Sequence, residues 1–213
     1  MKTDDLINLL STAAEPVAPH TGARRVARAM AWSFPVAVVL MLAVLGLNPA
    51  LGAYSRLPMF WLKFLAPLSM AMAGLVLLER LGRPGMPVRK IWVVYLLPVA
   101  VLWAVGLGSW VTAPVEARPA LLYGLTWSIC PACIAMLSVP FFMAAFWVLR
   151  GMAPGSPRLA GAGAGGLAGA AGATLYALHC PELGAPFMAV WYVLGMAIPV
   201  VCGALLGRRL LRW

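Results

Sequence analysis

The chain has 213 residues, of which 63% are hydrophobic and 10% charged, and its formal net charge is +10. A soluble domain carries about 25% charged residues, so a water-facing globule is excluded and lipid is the main solvent. The basic excess, 16 Lys and Arg against 6 Asp and Glu, then reads as charge collected in cytoplasmic loops rather than as a nucleic-acid surface.

The amino-terminal segment, residues 1–28, is polar and is read as a cytoplasmic region ahead of a transmembrane domain over 29–213. Its opening, Thr3-Asp4-Asp5-Leu6-Ile7-Asn8-Leu9-Leu10, predicts a short capped helix, because Thr caps well and aspartates suit a first turn. Leu6, Ile7, Leu9 and Leu10 form an apolar stripe on it. Surface-lying membrane helices carry Lys and Arg opposite such a stripe, whereas this one carries Asp4 and Asp5. The pattern therefore favours a protein partner whose groove accepts the helix.

Apolar runs long enough to cross about 30 Å of hydrocarbon as helix fall at 29–47, 58–78, 91–110, 129–149, 159–178 and 185–206. The predicted fold is an all-α membrane protein, a bundle of six transmembrane helices. The first run exceeds the roughly 7–15 residues of a secretory h-region and reads as a retained span. Lys2, Arg24, Arg25 and Arg28 precede it. Arg80, Arg83, Arg89 and Lys90 follow the second run, Arg150 and Arg158 flank the fourth loop, and Arg208, Arg209 and Arg212 follow the last. Only Arg56, Lys63 and Arg118 fall on the other side. By the positive-inside rule both termini are cytoplasmic.

Pro67, Pro98, Pro140 and Pro199 lie inside spans, where each removes a helix hydrogen bond and bends the helix. In the fifth run Gly161, Gly165 and Gly169 repeat every fourth residue, which lets a neighbouring helix approach closely. Packing inside the bundle is the expectation, with the oligomeric state left open.

Ionisable groups inside a span mark transport paths and proton relays, and the six carboxylates all fall outside the apolar runs. Lys63, near a span end, is read as snorkelling to the interface. Cys130 opens the fourth run and Cys180 closes the fifth, both on the non-cytoplasmic face, where an oxidising compartment permits a disulfide. Sequence does not give the Cα separation that such a bond requires. Cys133 completes a C-x-x-C but lies in a helix start rather than a thioredoxin-like context, and it reads as a wall residue. Cys202 reads as a small buried hydrophobe. His179 either assists the thiols, by favouring thiolate or by joining Cys130 and Cys180 around a soft metal ion, or caps carbonyls at the helix end.

The opening Met1-Lys2-Thr3-Asp4-Asp5-Leu6, Arg24-Arg25 before the first span, Cys130 with Ser138-Val139-Pro140, the run Tyr176-Ala177-Leu178-His179-Cys180-Pro181-Glu182 and Gly207-Arg208-Arg209 together resemble the negative regulator of sigma-F (NrsF) family. The resemblance covers essentially the whole chain. It implies a six-span anti-sigma factor of the bacterial inner membrane that holds an extracytoplasmic-function sigma factor and binds no nucleic acid directly. It also implies Cys130 and Cys180 as the sensor pair for oxidants or heavy metals, with no resident cofactor beyond a transient soft-metal ion. Asp4, Asp5, Leu6, Leu9 and Leu10 would contact the sigma factor, with Arg80, Arg83 and Arg89 nearby. A membrane thiol oxidoreductase using Cys130 and Cys133, or a small permease, are the alternatives. The first lacks a clear second dithiol or quinone anchor, and the second lacks intramembrane carboxylates.

Overall fold

The computed structural model describes residues 3, 5 and 21–211. Six long helices make up most of it, and no strand occurs among the described residues: α1 (Thr21–Val44), α2 (Pro58–Leu81), α3 (Arg89–Thr112), α4 (Cys130–Arg150), α5 (Pro157–Tyr176) and α6 (Ala185–Leu210). Each matches an apolar run in the sequence. The helices outrun those runs mainly at the arginine-bearing ends. Arg24, Arg25 and Arg28 lie on the first turns of α1, and Arg80, Arg150, Arg208 and Arg209 on the last turns of α2, α4 and α6. Hydrophobicity locates the apolar body of a helix but not the charged turns beyond it. Pro58, Pro131, Pro157 and Pro186 occupy first-turn positions, where the missing N–H is no loss.

Five of these helices are long and apolar enough to cross a membrane: α1, α2, α3, α4 and α6. The remaining predicted span, the fifth, is α5; it has the length, since 20 residues rise about 30 Å, but its Gly/Ala composition is less apolar. It is instead the hub of the bundle, buried along most of its length and packed on α2, α4 and α6. Small residues make this possible. A Cβ on Gly161, Gly165 or Gly169 would run into the backbone of α6 at Gly203, Pro199 and Met196, so the glycine stripe is an intramolecular seam of the kind expected.

Most of the basic residues gather at one end of the bundle, Arg56, Lys63 and Arg118 lying at the other. Arg25 lies over the Trp147 ring at 4.9 Å and its guanidinium donates to the Gly151 carbonyl at 3.4 Å. Arg83 pairs with Glu79 at 3.0 Å and lies against Gly22, and Arg80 donates to the Pro87 carbonyl at 3.0 Å. The starts of α1, α3 and α5 and the ends of α2, α4 and α6 thus share this end. The cysteine segment lies at the other.

Candidate functional site

At the end opposite the arginines, the chain between α5 and α6 is tied down from three directions. The Leu178 carbonyl accepts the Asn48 N–H at 3.2 Å, and His179 Nδ1 pairs with the Gly46 carbonyl at 3.1 Å; both contacts anchor it to the turn after α1. Lys63, in the second turn of α2, donates from Nζ to the Cys180 carbonyl at 2.5 Å and to the Glu182 carbonyl at 2.9 Å. The Glu182 carboxylate accepts the Leu125 N–H at 2.6 Å, just ahead of α4. Gly124 is required there: its φ is +52°, and a Cβ would collide with that carboxylate.

Inside this clamp lie the two sulfurs. Cys130 and Cys180 are both buried, 0% and 1% exposed, and each thiol stands in the other's electrostatic surroundings together with Lys63, Tyr176 and Tyr192. All four cysteines are free thiols. The Tyr176 hydroxyl lies beside Cys130 and the Tyr192 hydroxyl beside Cys180. Neither hydroxyl has a well-formed hydrogen bond, as expected where the nearest acceptor is a thiol sulfur. The two rings pack at 5.8 Å, and the Lys63 ammonium rests 5.7 Å above the Tyr192 ring. Tyr192 ends a π-helical stretch, Met188–Tyr192, a one-turn irregularity that recurs at functional sites because it re-aims side chains. The Ala189 carbonyl within it accepts Trp103 Nε1 at 2.8 Å. An aromatic group of Tyr123, Trp127 and Trp191 covers this end, and Trp191 Nε1 donates to the Leu122 carbonyl at 2.9 Å.

The structure thus places Cys130 and Cys180 within electrostatic reach of each other, while His179, next to Cys180 in sequence, pairs with the Gly46 carbonyl. Among the described residues no three His, Cys, Asp or Glu side chains converge as metal donors. Cys133, one turn into α4, is half-buried against the core. Two expectations are corrected. Cys202 is exposed on the outer face of α6, lining a groove with Leu205 and Leu206, because a lipid-facing position suits a small apolar side chain as well as the interior does. Lys63 does not snorkel: it is 1% exposed, and its charge is met by two carbonyls and a ring face. Its position as a lone cation in an apolar run was the available signal.

Of the residues the sequence suggests for partner binding, Asp5 is helical and exposed, while Asp4, Leu6, Leu9 and Leu10 lie outside the described residues. The chain before α1 joins Thr21 at the arginine end, so the segment that carries them is attached at the opposite end of the bundle from the thiols.

The sequence matches, over residues 10–213, the family described as Negative regulator of sigma F. The chain belongs to the NrsF family. It is 45% identical over 213 residues to the "Probable anti-sigma-F factor NrsF" of Azospira oryzae and 38% identical over 218 residues to the "Anti-sigma-F factor NrsF" of Caulobacter vibrioides, each comparison covering 100% of both chains. No solved structure matches it. NrsF relatives are thus named as regulators rather than enzymes, and the buried thiol pair is to be understood in a regulatory protein.

Proposed function

We propose that this chain is a six-span anti-sigma factor of the bacterial inner membrane, with both termini cytoplasmic, that holds an extracytoplasmic-function sigma factor and releases it when Cys130 and Cys180 are oxidised on the periplasmic side. The segment bearing Asp4, Asp5, Leu6, Leu9 and Leu10 is the docking helix, with Arg80, Arg83 and Arg89 at the same end. The NrsF relatives support the regulatory role. The observation that carries the sensing role is the convergence of two buried, free thiols at the end of the bundle away from most of its arginines. Positive charge collects on the cytoplasmic side and disulfides persist on the other, so one orientation satisfies both. Thiol oxidation is preferred to soft-metal capture as the signal, because His179, the third donor, pairs with Gly46.

The test is co-purification of a co-expressed extracytoplasmic-function sigma factor from membranes, comparing wild type, a deletion of residues 2–12, and Cys130→Ser/Cys180→Ser. Wild type retains the sigma factor under reducing conditions and loses it with peroxide. The deletion never retains it, and the double-serine variant retains it under both. If reduced wild type captures no sigma factor, the binding role fails. If the double-serine protein still releases under oxidant, the sensing role fails.

A further inference from the structure

Lys63 is an ammonium group with almost no access to water, and among the described residues no carboxylate lies within ion-pair distance of it. It is held by the carbonyls of Cys180 and Glu182 and by the face of Tyr192. A buried charge stripped of its partners is far more unfavourable than a paired one. Whatever displaces the Cys180 backbone must therefore either carry Lys63 along or leave its charge exposed to an apolar interior.

Forming a disulfide is such a displacement. An S–S bond of about 2.05 Å with Cβ atoms about 3.8 Å apart is much tighter than the contact between two thiols. Cys130 opens a helix buried at that point, and its N–H donates to the Thr126 carbonyl at 2.9 Å. Cys180 has the matching bond, from its N–H to the Tyr176 carbonyl at 3.0 Å, but it lies in a non-helical stretch and its own carbonyl is bonded to Lys63, so a shift of its backbone is felt at Lys63. The element that must follow is the start of α2, and α2 is built to bend there. Pro67 lies inside the helix, four residues after Lys63, and has no N–H to give the Lys63 carbonyl, so the turn spanning 63–67 lacks its hydrogen bond. Beyond the bend, α2 presses on α5, where a Cβ on Gly74 would meet Leu167 at 3.2 Å, and the turn just after α2 sets Arg83 against Gly22 at the start of α1.

We propose that Lys63 is the positioning residue that couples the thiol pair to the far end of the bundle: its two hydrogen bonds force the start of α2 to follow Cys180, and the bend at Pro67 passes the shift along α2 to Arg83 and α1. The inference rests on the reading of Cys130 and Cys180 as the sensor pair. In the triggering step hydrogen peroxide accepts two electrons and two protons from the two thiols; one S–S bond forms, the peroxide O–O bond breaks, and two water molecules leave.

The test uses the full chain in lipid nanodiscs with Cys133→Ala and Cys202→Ala, so that only one disulfide can form. Peroxide-driven Cys130–Cys180 bonding is read from non-reduced peptide masses, and backbone motion from hydrogen exchange. In this background, oxidation raises exchange roughly tenfold in residues 58–66 and, with it, in 79–86 and 21–28. Lys63→Met forms the same disulfide but leaves 79–86 and 21–28 unchanged, whereas Lys63→Arg, which keeps a cation and several donors, retains the response. A Lys63→Met protein whose far end responds as before overturns the proposal. If Lys63→Met fails to insert, the Lys63 protein decides it: a change confined to residues 178–183, with 58–66 silent, overturns it equally. Absence of any Cys130–Cys180 disulfide in the Lys63 protein refutes the underlying sensor reading instead, and this inference falls with it.

Discussion

Lys63 and Cys180 are 117 positions apart in sequence and joined by a 2.5 Å hydrogen bond from the ammonium to the backbone carbonyl. The contact crosses from α2 to the segment after α5, and a second bond to Glu182 doubles it. Because the bond is to backbone, it fixes where the Cys180 thiol stands without contributing a side chain to it. Removing the ammonium leaves two carbonyls without a donor, at about 1–3 kcal/mol each if they stay buried, offset by the removal of a desolvated charge. Lys63→Met is therefore expected to lower stability by only a few kcal/mol, while hydrogen exchange in residues 178–183 quickens markedly. Unchanged exchange there would show that the segment is held by Asn48, His179 and Glu182 alone.

Glu182→Gln tests the opposite side of the same clamp. The carboxylate accepts the Leu125 N–H at 2.6 Å, a charge-assisted bond at an exposed position, where solvent screening reduces its contribution to about 1 kcal/mol. The amide keeps an acceptor oxygen but not the charge, so roughly half of that is lost, and thermal unfolding of detergent-solubilised protein measures it. Glu182→Ala loses the rest. The order wild type, Gln, Ala is the expectation.

The α5–α6 seam separates packing from composition. Gly165→Val forces a branched side chain against the Pro199 carbonyl and should destabilise by about 1–3 kcal/mol or more, as over-filling of a packed interior does. Gly108→Ala is the control: it lies inside α3 with nothing within 4 Å of a Cβ, and it should gain about 0.5–1 kcal/mol from the helix preference for Ala. Opposite signs for two glycine substitutions in one protein are the outcome to look for in paired melting curves.

That contrast also shows what the chain discloses before it folds. The helices are legible because apolar runs and arginines at one set of ends report on the same bilayer-sized element. The convergence of Cys130 with Cys180 was half-legible: loop charge puts both at one end, but only packing puts them together. Lys63 was misread because its partners are carbonyls, which carry no side-chain signature, more than a hundred residues away. Cys202 was misplaced because in lipid the inner and outer faces of a helix are both apolar, so hydropathy does not distinguish them. The π-helical turn that ends at Tyr192 leaves no mark in the hydropathy of the sequence.

The burial of the thiol pair sets a rate of modification. Cys130 and Cys180 are both buried. A membrane-permeant maleimide should therefore reach them only through local opening, far more slowly than in the unfolded chain. Peptide mass mapping over a time course measures it. Early labelling of Cys180 would mean that the clamp opens readily in the resting protein, and the wild-type clamp would then be a weak restraint.

The size of the response to oxidation follows from comparing two free energies. Shifting a bound fraction from 99% to 1% requires about 5.5 kcal/mol of differential affinity, whereas one disulfide contributes roughly 2–4 kcal/mol. Even if all of that were transmitted through the bundle, release would be incomplete. The expected behaviour is graded: a fully oxidised population that retains a measurable fraction of its sigma factor and binds it more weakly. Titrating sigma factor against fully reduced and fully oxidised protein, with the Cys130–Cys180 bond quantified in the same samples, checks this. An all-or-none loss would require a source of free energy beyond the single disulfide.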